Sequence, residues 1–377
     1  MHYVALKMLF GDRAKYLMLL CGLAFAVMLI VQQGSIFWGL MLWSQSGITN
    51  LNVDIWVADP NISQVEEVKP IATTAVERVR TVPGVEWAVP LFKGVYRVRL
   101  AGGDYHRISL VGLDAATLIG RPAKLQEGRI EDLRTPDAVV VDQGAVQRMG
   151  GPDVIKVGTV FEINDKRARV VAIANIQKDF QNIPSVYTTY ERAVAYAPPE
   201  RRMLSYVLAK AKAGEAVADV TQRIAAQTRL GAFTQEEFGW KTIVWVLKNT
   251  GIGINFGTTI VLGFLVGMAI AGQTFYLFTV ENLKQYGALK AMGASTFALA
   301  RMIILQAFTV GVIGYGVGVG LATLFGLLAA PSGQLPFSET WPLLGLVFVS
   351  LLGICSFSAT ISIIKLIKLE PAIVFRG

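Results

Sequence analysis

The sequence is poor in charge, histidine and cysteine. Only 16% of its 377 residues are Asp, Glu, Lys or Arg, against about 25% in an ordinary soluble domain. The two histidines, His2 and His106, are not spaced as a metal site. The two cysteines, Cys21 and Cys355, both fall in apolar runs, so the rest of the chain needs no disulfide. No G-x-x-x-x-G-K-[ST] loop is present, which excludes a P-loop for ATP in this chain. No G-x-S-x-G elbow is present either. Carboxylates such as Asp54, Asp104 and Asp142 are spread as turn and surface residues are. No catalytic residue, metal site or cofactor site is therefore expected in the chain itself.

What the sequence does have is apolar length. Hydrophobic residues make up 53% of it. Four runs contain no Asp, Glu, Lys or Arg: Tyr16 to Trp43, Gly251 to Val280, Met302 to Ala330 and Trp341 to Ile364. Each exceeds the roughly 20 residues a helix needs to cross a hydrocarbon core. The expected fold is a membrane α-helical protein with four spans and an extracytoplasmic α+β domain between the first two. The first run has a basic flank like a signal peptide. It is too long for one, however, and Trp38 and Trp43 stand where a cleavage site would be, so a retained span is expected.

The net charge of +8 does not point to nucleic acid, because of where the cations lie. Lys7, Arg13 and Lys15 precede the first span. Lys284, Lys290 and Arg301 lie in or beside the loop after the second, and Lys365, Lys368 and Arg376 follow the fourth. The short loop Pro331 to Thr340 has no Lys or Arg. Short basic loops stay in the cytoplasm. Both termini are therefore expected on the cytoplasmic side of the inner membrane, with the residues between spans one and two outside. The expected division is a cytoplasmic amphipathic segment (1–15), a first span and stalk (16–45), an extracytoplasmic domain (46–235), and a stalk with the second span (236–280). A cytoplasmic coupling helix (281–300), a third span (301–330), a short external loop (331–340), a fourth span (341–366) and a tail (367–377) complete it.

Residues 2–15 read either as an amphipathic segment, with Val4, Met8 and Leu9 on lipid, or as a frayed basic flank. In the large domain, Asn52–Val57 alternates as a strand does. Tyr96–Leu100 and Arg107–Val111 are strand-like about a Gly102-Gly103-Asp104 turn, and Val160–Ile163 and Ala168–Ile173 suggest a hairpin about Asn164-Asp165. Ala138–Val141 and Tyr206–Lys210 are further strands; Thr74–Arg80, Gln143–Met149 and Glu215–Thr228 are helical. Phe233–Lys248 reads as an amphipathic helix running directly into span two, either a stiff rod or a plain linker.

Glycines at close-packing spacing occur at Gly253 and Gly257, Gly263 and Gly267, Gly314 and Gly318, and Gly316 and Gly320. They predict tight helix pairing, within the chain or with a second copy. The spans hold only neutral polar groups: Gln32, Gln33, Asn255, Gln273 and Gln306. That disfavours a secondary transporter, which places ionisable groups there. The amides are expected to join helices.

Energy for any uphill transport must then come from a partner. The substantial handle is Glu281 to Ser295, where Leu283, Tyr286, Ala288, Leu289 and Met292 supply apolar knobs and Glu281, Lys284 and Lys290 supply charge. A short helix here would end at Gly293, with Ser295 capping the next. This segment resembles the E-x-G-x-L-K-A-x-G-A-S stretch of the FtsX/MacB-type permease family of ABC transporters, with Gln285 in place of the acid. The ending Leu369-Glu370-Pro371-Ala372, closing on Arg376-Gly377, is similar to that family's ending. So are Val111-Gly112-Leu113-Asp114, Val157-Gly158-Thr159-Val160 and the order of one span, a large domain, then three spans. Leu51–Val57 and the chain's size look closest to the DevC-like branch.

The resemblance implies a dimer of permeases driven by a separate ATPase that holds ATP and magnesium, and a periplasmic adaptor protein. It implies ATPase coupling through Glu281, Leu283, Lys284, Tyr286, Gly287, Leu289, Lys290, Met292 and Gly293. The implied mechanism is mechanotransmission, in which closure of the ATPases moves the outer domains and exports a lipidic or amphipathic molecule. A permease that signals to an external partner without transport, and a membrane-anchored receptor without ATP coupling, are the alternatives.

Overall fold

The computed structural model describes residues 2–329 and 335–367, the side chains of His2 and Lys15 excepted. The C-terminal motif Leu369–Gly377, with Lys368 and much of the loop before the fourth span, lies outside the described residues. The chain divides into a helical unit, residues 1–40 and 251–377, and a mixed unit, residues 41–250.

The helical unit begins with α1 (His2–Gly11). The chain breaks at Asp12, and α2 (Arg13–Ser44) then runs for 32 residues. Burial corrects the reading of the N-terminal segment as lipid-facing. Ala5 and Leu9 of α1 are fully buried in the helical core, Met8 is half-buried against it, and only Val4 of the three candidate residues is exposed.

The mixed unit opens with a single turn, α3 (Ser46–Thr49), and β1 (Ile55–Ala58). The strand starts three residues later than alternation predicted, because Asn52 takes a left-handed conformation (φ 48°). Next come α4 (Ala75–Arg80), the long β2 (Val85–Arg99) and β3 (Tyr105–Leu113). They are followed by β4 (Leu125–Gly128), β5 (Ala138–Asp142) and α5 (Gln143–Arg148). Asp142 starts α5 by accepting the Ala145 N–H at 2.6 Å, an N-cap bond.

β6 (Val160–Ile163) and β7 (Lys166–Ala174) form the hairpin that the sequence predicts. Asn164 and Asp165 both have positive φ (47° and 60°), as a two-residue turn of matching twist requires. β8 (Ser185–Thr189), α6 (Tyr190–Tyr196), β9 (Tyr206–Ala211), α7 (Val217–Thr228) and β10 (Gly231–Thr234) follow. The ten strands make one mixed sheet in the order β10-β1-β9-β2-β3-β8-β5-β7-β4, with β6 set between β2 and β7. β3–β8 and β5–β7 are parallel and the other pairs antiparallel. Trp56, Tyr206 and Phe238 meet in its core, with ring centroids 5.5 to 6.1 Å apart.

The last helix of this unit is α8 (Gln235–Asn249). The amphipathic pattern predicts a start at Phe233, but Phe233 belongs to β10. The helix starts instead at a full capping box, Thr234 with Glu237. Nor does it run directly into the second span. Thr250 and Gly251 interrupt it, and Gly251 takes φ 68°, a left-handed geometry that glycine accepts freely.

The helical unit resumes with α9 (Ile252–Glu281), α10 (Leu283–Ala291), α11 (Thr296–Ala329) and α12 (Trp341–Ile367). Among the described residues four helical stretches are long and apolar enough to span a membrane: Tyr16–Ser44, Ile252–Glu281, Thr296–Ala329 and Trp341–Ile367. Their core is built from Leu23, Val27 and Ile30 of α2, Phe275 and Phe278 of α9, Ile303 and Val310 of α11, and Leu351 and Ile354 of α12.

Small residues set the closest approaches. A Cβ on Gly267 would lie 2.6 Å from that of Ala26, and one on Gly318 would lie 2.6 Å from the carbonyl oxygen of Ala24. Gly263 and Gly314 also pack on α2, at 3.5 and 3.1 Å. Gly257, Gly316 and Gly320 face open space. Gly253 is half-buried.

Candidate functional site

The loop between the second and third long helices is held together by its own backbone. α9 stops at Asn282, whose side chain donates to the Phe278 carbonyl at 2.8 Å. α10 follows at once and ends at Met292. Gly293, with φ 94°, lets the chain reverse, and Ala294 N–H returns to the Leu289 carbonyl at 3.0 Å. Ser295 then accepts the Ala298 N–H at 3.2 Å, which caps α11.

One side of α10 is anchored. Tyr286 is fully buried, and its hydroxyl donates to Gln306 Oε1 at 3.1 Å. Gln306 Nε2 in turn donates to the carbonyl of Ala5 at 2.8 Å. This chain of bonds ties α10, α11 and α1 together. Burial pushes the Tyr286 phenol up to about 12, so it stays protonated and keeps its role as donor. Gln306 thus joins helices, whereas Asn255 and Gln273 lie exposed on α9.

The remaining candidate residues divide by face. Gly287 is buried beside Tyr286, and Leu283 and Leu289 are half-buried against the helical core. Glu281, Lys284, Met292 and Gly293 are exposed, and Lys290 is half-buried. The expected row of outward knobs is therefore corrected: Tyr286 points inward, and Leu283 and Leu289 largely do. The outward apolar surface is made by Ala288, Met292 (76% exposed) and Phe297 (80% exposed). Phe297 sits past Ser295, in the first turn of α11 and outside the segment Glu281 to Ser295. A large aromatic two residues after a capping Ser was the available signal.

Among the described residues no three His, Cys, Asp or Glu side chains are grouped to hold a metal ion. The surface is a bent pair of helix ends with an apolar edge and flanking lysines, a shape suited to a protein partner.

Four long apolar helices, with a mixed α/β domain between the first and second, define a multi-pass membrane protein with a large extramembranous domain. Residues 16–227 match the family model of the MacB-like periplasmic core domain, and residues 257–371 match that of the FtsX-like permease C-terminal region. The chain belongs to the FtsX/MacB-type family of ABC transporter permeases.

An uncharacterized ABC transporter permease of Methanocaldococcus jannaschii is 26% identical over 245 residues, covering 62% of this chain and 61% of that relative. The chain thus matches less than two thirds of that protein's length. An uncharacterized ABC transporter permease of Mycobacterium tuberculosis is 24% identical over 347 residues, covering 90% and 89%. One of Mycobacterium bovis is 23% identical over 366 residues, covering 94% and 93%. Among solved structures, the periplasmic region of MacB from Actinobacillus actinomycetemcomitans aligns with TM-score 0.38 and 13% identity, over 52% of this chain and 94% of that one. The extracellular domain of the noncanonic ABC-type transporter YknZ aligns with TM-score 0.36 and 11% identity, over 48% and 99%.

Proposed function

We propose that this permease works by mechanotransmission: a separate ATPase, carrying ATP and magnesium, grips the loop between α9 and α11 and drives export of a lipidic or amphipathic molecule. The permease acts as a pair of copies, with an adaptor protein on the outer side. The termini and the gripped loop lie in the cytoplasm, and the membrane is the inner one.

The observation that carries this reading is the exposed edge of Met292 and Phe297 on a loop whose other side is fastened by Tyr286 and Gln306. An apolar edge of this kind gains by being covered. A loop fixed to the helical core passes a push inward, where a loose one would absorb it. α2, unbroken from Arg13 to Ser44, is the route along which such a push would travel. Among the described residues the spans bury no Asp, Glu, Lys, Arg or His side chain, which suits a protein that does not carry its cargo through a charged channel.

The test is co-purification of the full chain with the ATPase of its host, followed by ATP turnover. Phe297→Asp and Met292→Asp are expected to break the complex and lower its turnover at least tenfold. An intact complex with full turnover in both variants would overturn the assignment of this surface.

A further inference from the structure

The outward face of the sheet where β6, β2 and β3 meet carries an unusual charge pattern. Arg97 of β2 stands directly opposite Arg107 of β3 in the antiparallel ladder. Both are exposed. Like charges placed opposite each other across a ladder are destabilising. Among the described residues neither has an ion-pair partner, and neither does Arg201, which lines the same cleft of about 490 Å³. That cleft is completed by Val95, Tyr96 and Asn164 and contains no acid.

Many arginines elsewhere in the unit are engaged. Arg99, one row along, pairs with Glu162 on β6. Arg80 pairs with Glu77, Arg223 with Glu215, and Arg192 donates to the carbonyls of Leu133, Thr135 and Ala138. Arg121, Arg148, Arg167 and Arg229 also lack a side-chain partner among the described residues; what sets Arg97, Arg107 and Arg201 apart is that all three line one cleft.

A second cleft of about 440 Å³ adjoins the first and shares Val95, Tyr96 and Arg201 with it. Its apolar lining includes Val68, Pro70 and the exposed Val95 and Met203. Of its two acids, Glu66 is held by Lys93; Glu200 is exposed on the rim and does not line the basic cleft. Tyr96 and Arg201 line both clefts; burial raises the Tyr96 phenol while the Arg201 charge opposes that rise.

We propose that this face binds an anionic amphiphile: its phosphate or carboxylate head sits among Arg97, Arg107 and Arg201, and its apolar body lies along Val95, Met203 and Pro70. A guanidinium holds such a head with two parallel hydrogen bonds. The like-charge pair is then a cost that the ligand removes. The proposal deepens the export reading, on which it rests for its biological sense, by giving the cargo a charge and the mixed domain a place to hold it.

The test uses the full chain in non-ionic detergent, without nucleotide or ATPase, titrated calorimetrically with octyl phosphate, inorganic phosphate and octyltrimethylammonium. Octyl phosphate is expected to saturate one site per chain. Inorganic phosphate should bind the same site at least tenfold more weakly, and the cationic amphiphile should not saturate. Arg107→Ala should weaken octyl phosphate by roughly tenfold or more, the loss expected when a charged hydrogen bond goes. Arg97→Glu should abolish binding while raising the melting temperature, because the introduced carboxylate would pair with Arg107 across the ladder.

Three outcomes would overturn the proposal: equal saturation by both amphiphiles, equal affinity for octyl and inorganic phosphate, or parental affinity in both arginine variants. Because no ATPase enters the titration, saturable binding stands even if the Phe297→Asp complex stays intact. A failed titration likewise leaves the coupling surface untouched.

Discussion

One buried acid and one half-buried acid give the mixed domain a pH dependence that can be worked out residue by residue. Burial pushes the Asp142 carboxyl up to about 6, against the lowering effect of the N–H groups of Ser185 and Ala145 that it accepts. Asp179 is also raised to about 6, by burial first and by the charge of Glu66 second. An acid raised on folding holds its proton more tightly in the folded chain than in the unfolded one. Its contribution to stability is therefore present below the unfolded value near 4 and is lost as pH rises to about 6. Asn at position 179 keeps an acceptor for the Ile183 N–H, now bound at 2.6 Å. Asp179→Asn should raise the melting temperature at pH 7.5 by more than at pH 5, and an equal change at both would show that the carboxyl is not perturbed. Tyr286→Phe should cost about 1 to 3 kcal/mol in denaturant unfolding, since it leaves the buried Gln306 oxygen without its donor. No loss of stability would mean that the hydrogen bond is not held in solution.

Among the elements, α11 offers an internal control. It carries two interleaved glycine pairs of identical spacing, Gly314 with Gly318 and Gly316 with Gly320. Sequence alone gives both the same meaning, yet the first pair lies against α2 and the second meets nothing within 4 Å. Gly318→Val should destabilise the chain by about 1 to 3 kcal/mol through overpacking, while Gly320→Val should leave the melting temperature nearly unchanged. The reverse order would show that the helices pair by another face.

Legibility followed the same divide. The four spans were readable because an uncharged run of such length has few other uses, and the β6–β7 hairpin because Asn-Asp is turn chemistry. The first half of β2 was not, because Pro90 stands in the middle of it and demotes a strand on sequence grounds. In the structure β2 bonds to β9 through Val85–Leu91 and to β3 only from Phe92 onward, so the missing N–H of Pro90 can point where no strand pairs. β8 and β10 were missed because each is short and finds its partners far along the chain. In the candidate site, the loop and its glycine reversal were legible in sequence. Which apolar residues face out was not, because Tyr286 is turned inward by a partner twenty residues away.

For the whole molecule, the distribution of lysine and arginine predicts which side each loop occupies. In a cysteine-free background, Ala213→Cys and Ser295→Cys place single thiols at exposed positions. An impermeant maleimide added to intact cells should label Ala213→Cys and should reach Ser295→Cys only after permeabilisation. The opposite pattern would reverse the topology and remove the ATPase from the loop assigned to it.

The strand that enters the mixed domain and the strand that leaves it are paired with each other: Ile55 of β1 faces Thr234 of β10, and the Gln235 N–H reaches the Asp54 carbonyl at 2.9 Å. Antiparallel neighbours gripped at the same end come apart like a zip, one rung at a time, and so resist poorly. A machine that pulled the two connections in opposite directions would peel its own domain open. A stroke of the proposed kind would therefore carry both connections the same way, as a pair of reins held in one hand.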